Sequence, residues 1–224
     1  MRIIEPGYTI IRPQQLDETT RAAITNLICT AGNAIDAMLD ITIPGEGTDY
    51  IRNLIVNGET DALDHASMTV RFCTDPVTAR MIEDSFIFSS IREEPLYHDF
   101  KTAMHGNELC YIQLSKILNE FAGTAAMPKE KIDRIIGEWT EACFDAEWHY
   151  MNLIQMGLPA FLAGSILNAS VRTGVIVTGN MNQWRTFLSA FFNDGSPQIR
   201  CLVRPLAAEL AAFMPELFGD ILIC

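Results

Sequence analysis

The chain has 224 residues, 49% hydrophobic and 20% charged, the balance of a globular protein long enough to bury a substantial core. Its formal net charge of −12 argues against a broad basic face for nucleic acid or anionic membrane. Any phosphate pocket must therefore be built from particular arginines. No apolar run reaches bilayer-spanning length and Met-Arg-Ile-Ile-Glu-Pro lacks the apolar block of a secretory signal, so the expected location is the cytoplasm, with no membrane or nucleic-acid partner.

Residues 2–12, RIIEPGYTIIR, read as a strand pair or extended hairpin broken at Pro6-Gly7. A helix is predicted from Asp17 to Met38, a loop at IPGEG (43–47), and a short helix from Asp49 to Asn57. In DHASMTVRFCT, His65, Ser67, Thr69, Arg71 and Cys73 alternate with Ala66, Met68, Val70 and Phe72, the period of a half-buried strand. Thr74-Asp75-Pro76 then supplies a capping side chain followed by a proline suited to the first helical position. The helical pattern runs from Pro76 to about Arg92 and breaks at Pro95. Residues 96–127 carry little pattern, with a helix suggested over Leu109–Phe121.

The clearest helix extends from Pro128 to Met156. Ile132, Ile135, Trp139, Cys143, Ala146, Tyr150 and Leu153 recur on one face, with Arg134, Glu138, Glu141, Asp145 and His149 opposite. Glu141, Asp145 and His149 have metal-compatible spacing, but on a polar helix face they read as solvated residues, and no metal is expected. Gly157-Leu158-Pro159 ends that helix and AFLAGSIL starts a short one. ASVRTGVIVTG (169–179) is a second core strand, and helices from Asn180 to Phe192 and from Pro197 to about Phe218 close the chain around NDGS. Strands spaced by helices without a βαβ rhythm indicate an α+β domain spanning residues 1–224.

Six cysteines without a C-x-x-C pair read as free thiols. Walker, Rossmann and G-x-S-x-G patterns are absent. Two readings stand for Asn180 at a strand-to-helix junction: it caps the helix, or it presents an amide to a planar ligand. Beside Asp64, His65 reads in isolation as an ordinary strand-end histidine.

Three stretches together resemble the flavin-dependent thymidylate synthases, the ThyX family: NGETDALDHASMTVRF, NLIQMGLPAFLAGSIL and TGNMNQWRTFLSAFFNDGSPQIRCLVRPLAAEL. The first is similar to a Gly-His-x-Ser-x-x-Glu-His pattern leading into a strand, the second to Gly-x-x-x-Glu-x-Ala-Arg before Leu-Pro. The third is similar to an Asn-containing junction, a Phe-Leu helix and an Ile-Arg closing helix. The resemblance implies a central antiparallel sheet flanked by helices, assembled as a homotetramer with sites completed across subunits. It also implies FAD, methylenetetrahydrofolate and a reduced nicotinamide acting on C5 of a pyrimidine nucleotide. Asp64, His65 and Asn180 fall where the family contacts its flavin.

Elsewhere the sequence departs from the family. The family's Arg-His-Arg falls on Asp84-Ser85-Phe86, its Glu-x-Ala-Arg on Phe161-Leu162-Ala163-Gly164, and a further arginine on Phe191, while Glu59 and Asp61 replace a histidine and a hydroxyl residue. Each lost guanidinium–phosphate contact is worth roughly 1.5–3 kcal/mol. Two functions follow as expectations: a divergent enzyme methylating or hydroxymethylating a pyrimidine nucleotide or related substrate, or a non-catalytic ThyX-like binding or assembly subunit. Arg80, Arg92, Arg172 and Arg185 are candidates to replace the lost cations, Phe86, Phe161 and Phe191 are expected around one intersubunit cleft, and no side chain is named as catalytic acid or base.

Overall fold

The computed structural model describes residues 1–11, 52, 55–58, 60–65, 67–85, 88–95, 100, 108–121 and 127–223. The predicted helix from Asp17 to Met38, the IPGEG loop, Glu59 and Phe86 lie outside these residues. In chain order the strands are β1 (Arg2–Ile4), β2 (Gly7–Ile10), β3 (Ser67–Thr74), β4 (Ser89–Arg92), β5 (Cys110–Ile112) and β6 (Thr173–Asn180). The helices are α1 (Pro76–Asp84), α2 (Leu114–Asn119), α3 (Lys129–Gln155), α4 (Ala160–Ala163), α5 (Met181–Phe192), α6 (Pro197–Phe213) and α7 (Pro215–Phe218), with 3₁₀ turns at Thr60–His65, Gly164–Ile166 and Gly219–Leu222. The fold is α+β, as the strand and helix pattern predicts. Among the described residues no helix is long and apolar enough to cross a membrane.

An antiparallel four-stranded sheet runs β2-β3-β6-β4, and a separate parallel pair joins β1 to β5. β3 obeys its alternation: Met68, Val70, Phe72 and Thr74 are buried, while Ser67 and Arg71 are exposed and Thr69 and Cys73 half-buried. Its apolar face joins Val175 and Val177 of β6 against Trp184, Phe187 and Leu188 of α5 and Leu202, Leu206 and Leu210 of α6. A second cluster gathers Leu109, Tyr111, Cys143, Tyr150, Ala163 and Val171 beneath α3.

Local chemistry sets the junctions. Asp75 caps α1, its Oδ1 accepting from the Thr78 amide at 2.9 Å and its Oδ2 from the Thr78 hydroxyl at 2.7 Å. α3 ends in a Schellman arrangement, with the Leu158 amide donating to the Leu153 carbonyl and the Gly157 amide to the Ile154 carbonyl, both at 3.0 Å. The φ of +92° at Gly157 is why glycine stands there.

Four expectations need correction. β1 and β2 are not a hairpin, because β1 pairs with β5 and β2 with β3. The strand begins at Ser67, and His65 closes a 3₁₀ turn instead of heading the strand. The helix from Pro76 stops at Asp84, and residues 89–92 pair with β6 as β4. Residues 110–112 are a strand, with only Leu114–Asn119 helical beyond it.

Gly179 lies under the ring of Phe88, and a Cβ there would come within 2.4 Å of a ring carbon. Gly179→Ala is therefore expected to destabilise the fold by about 1–3 kcal/mol, the range for overpacking. A lower urea midpoint at unchanged slope would register it, and a parental midpoint would contradict it.

Asp220 receives a bidentate pair from Arg185, at 2.9 and 2.7 Å, and Arg185 also donates to the Leu217 carbonyl. These hydrogen bonds from Arg185 hold the Asp220 carboxyl below its ordinary value of 3.8, against the opposing effect of burial. The stabilisation is complete above that value and is lost as pH falls through the depressed one. Asp220→Asn should consequently lower stability at neutral pH and flatten the most acidic limb of the stability profile. Parallel profiles for parent and variant would contradict the assignment.

Candidate functional site

One face of the four-stranded sheet is covered by α5 and α6, and the other carries mainly polar and small side chains, with Ile176 and Ile91 among them. Register places Thr9 opposite Arg71 and Gly7 opposite Cys73, while β3 faces β6 at Ser67–Asn180, Thr69–Thr178, Arg71–Ile176 and Cys73–Gly174. Thr69 and Thr178 link their hydroxyls at 2.9 Å. Two sites mark opposite ends of this face.

At one end the 3₁₀ turn Thr60–His65 delivers the chain into β3 beside the β6–α5 junction. Leu63 anchors the turn in the core, 1% exposed, and Asp64 stands exposed next to it. His65 closes the turn two residues before Ser67, which faces Asn180. Both readings of Asn180 bear on the junction, and the cap is real: its Oδ1 accepts from the Gln183 amide at 2.7 Å, and Gln183 Oε1 accepts from the Asn180 amide at 2.7 Å. That capping box leaves the side-chain NH2 of Asn180 without a partner among the described residues. Trp184 Nε1 donates to the Met68 carbonyl at 3.1 Å, locking α5 onto β3 just behind.

At the other end, between the four-stranded sheet and the β1–β5 pair, lies an open cavity of about 600 Å³. Arg2, Arg71 and Arg172 line it, with Thr9, Cys73 and Cys110. Arg172 is held by Glu93 at 2.8 Å. The guanidinium groups of Arg2 and Arg71 make no hydrogen bond or ion pair among the described residues. Burial raises the Cys110 thiol above its ordinary pKa, with Arg172 and Arg2 opposing it, so this sulfur is a neutral lining atom.

Of the arginines expected to replace the lost cations, Arg172 lines this cavity. Arg80 is engaged by Asp84, Arg92 by Glu83 and Glu94, and Arg185 by Asp220. Arg2 and Arg71 escaped the sequence reading, although the β3 alternation already put Arg71 on the polar face. Phe191 lies 5.2 Å from Phe187 beside the sheet core, whereas Phe161 is exposed on α4. Glu141, Asp145 and His149 are exposed, and no metal-binding group occurs among the described residues.

Comparison with known proteins bears on the whole chain. Two similar solved structures are both of the UMP/dUMP methylase PolB from Streptomyces cacaoi. The form bound with 5-Br dUMP shares 16% identity at a TM-score of 0.75, covering 98% of this chain and 96% of that one. The form bound with 5-Br UMP shares 15% identity at 0.71, covering 98% and 95%. At such identity the likeness establishes the fold. A comparison with curated proteins finds no match. The family model Thy1, thymidylate synthase complementing protein, matches residues 13–216. The chain therefore belongs to the Thy1 family, the ThyX family its sequence resembles.

Proposed function

We propose that the chain is a flavin-dependent enzyme that alkylates C5 of a pyrimidine nucleotide or related substrate, by methylation or hydroxymethylation, with a folate one-carbon donor. The observation that carries this reading is the end-to-end overlap of its fold with a UMP/dUMP methylase, joined to its family membership. In this reading Asp64, His65 and Asn180 contact FAD. Asn180 fits that role, because its cap uses the side-chain oxygen and spares two amide hydrogens for a flavin ring acceptor. FAD, when bound, supplies the redox chemistry, and the chain's residues bind and orient it. Reduced nicotinamide and methylenetetrahydrofolate serve as co-substrates, and residues 1–224 act as one domain within a cytoplasmic homotetramer.

A second reading, a binding or assembly subunit, is favoured by Asp84, Phe161 and Phe191 at family arginine positions. Asp84 in particular is committed to an ion pair with Arg80. Adding FAD to the purified protein, desalting, and recording the visible spectrum separates the two. The enzyme reading expects retained flavin absorbance that bleaches with reduced nicotinamide. A colourless protein would overturn it and leave the assembly subunit standing.

A further inference from the structure

The arginine cavity lies at the end of the sheet face opposite Asn180, and its construction indicates a ligand of its own. Gly7, Cys73 and Gly174 stand directly opposite one another across β2, β3 and β6. Gly7 and Cys73 of this row line the cavity, and Gly7 leaves its part of the sheet's open face without a side chain. Glycine within strands weakens them and often marks close approach by another group. A Cβ on Gly7 would meet nothing within 4 Å, whereas one on Gly174 would sit 3.7 Å from an Arg71 nitrogen, 3.6 Å from an Arg172 nitrogen and 3.2 Å from Glu93 Oε2. The Glu93 carboxylate and the Arg71 and Arg172 guanidinium groups thus all border the space above Gly174. Thr9, opposite Arg71, adds a hydroxyl along the next row.

Charge narrows the ligand further. Among the described residues, Arg2, Arg71 and Arg172 line the cavity with no carboxylate in the lining, and Glu93 pairs with Arg172 beside it, in a chain whose total is −12. Glu108, which also acts on Cys110, is drawn to the terminal amine of Met1 at 3.7 Å. An arginine-lined pocket in so acidic a protein attracts an anion, and guanidinium forks match phosphate oxygens.

We propose that this cavity is a phosphomonoester-binding site, in which Arg2, Arg71 and Arg172 hold a phosphate above Gly7 and Cys73. The phosphate belongs either to a pyrimidine nucleotide or to free inorganic phosphate. The site stands independently of the flavin contacts assigned to Asn180.

Calorimetric titration of the full chain with inorganic phosphate, deoxyuridylate and deoxyuridine tests it. Phosphate and deoxyuridylate are expected to bind and deoxyuridine not to. Arg71→Gln should weaken the bound probes at least tenfold, consistent with loss of a charge-assisted hydrogen bond. Gly7→Val, which adds a side chain to the cavity lining without touching a charge, should weaken them too. Arg134→Gln removes an equal charge from the exposed face of α3 and should leave affinity unchanged. Deoxyuridylate binding more tightly than phosphate, with the loss in Arg71→Gln, identifies the nucleotide as the source. Phosphate alone binding, with the same loss, keeps the site and instead counts against a nucleotide substrate here. The proposal is overturned if no phosphate-bearing probe binds, if deoxyuridine binds equally well, if Arg71→Gln or Gly7→Val binds like the parent, or if Arg134→Gln weakens binding as much.

Discussion

Trp184→Ala is expected to destabilise the chain by about 3–5 kcal/mol, the range for removing a buried indole. Trp184 is 0% exposed and is the largest fully buried side chain. Its ring sits 4.3 Å from Phe88, 5.8 Å from Phe187 and 6.4 Å from Phe72, so one side chain joins β3, α5 and the segment entering β4. Alanine would leave a cavity between these rings and strand the Met68 carbonyl without its indole donor. At about 2–4 °C per kcal/mol for a chain of this size, the unfolding midpoint should fall by roughly 10 °C. Trp184→Phe, keeping most of the volume, should lose far less. If both variants melt with the parent, α5 is not held by this contact.

Asn180 permits a cap to be separated from a ligand contact. Asn180→Asp keeps a side-chain oxygen for the Gln183 amide, and aspartate caps as well as asparagine, so stability should stay within about 0.5 kcal/mol. The same change deletes both side-chain amide hydrogens and adds a negative charge, so affinity for FAD should drop at least tenfold. Asn180→Ala should lose both the cap, about 1 kcal/mol, and the flavin. Fluorescence titration of FAD alongside urea unfolding reads the two effects separately. An aspartate variant that binds FAD like the parent would leave Asn180 as a cap and nothing more.

The parts of this fold legible in the sequence are those with local causes. β3 announces itself because one face is buried and the other open, and Asp75-Pro76 because the first helical turn needs an acceptor and tolerates proline. α3 is long enough for its periodicity to exceed noise. Strand partnership was not legible. β1 finds β5 more than a hundred residues away, so Pro6-Gly7 looked like a hairpin turn when it is a passage between two sheets. β4 carries one apolar side chain in Ser-Ser-Ile-Arg and is a strand because β6 offers an edge. His65 continues the alternation in sequence, yet burying Leu63 requires a tighter turn there.

The candidate site divides along the same line. Asp64, His65 and Asn180 are candidates through the family pattern alone, and the fold brings their segments to one end of the β3–β6 pair. The arginine cavity was legible only as a requirement, since so acidic a chain must bind phosphate through particular arginines. Its members come from β1, β3 and the residue before β6, and Gly7, which opens it, matters only once the strands are in register. Fold membership persists here without the family's arginine signature, and the chemistry must be tested on this chain's own residues.

The most direct test is to incubate the purified chain with FAD, reduced nicotinamide, methylenetetrahydrofolate and either deoxyuridylate or uridylate, and to follow the nucleotide by mass spectrometry. The account predicts a nucleotide alkylated at C5 whose formation requires both the flavin and the folate donor. Unchanged nucleotide from a folded, flavin-loaded protein would contradict it.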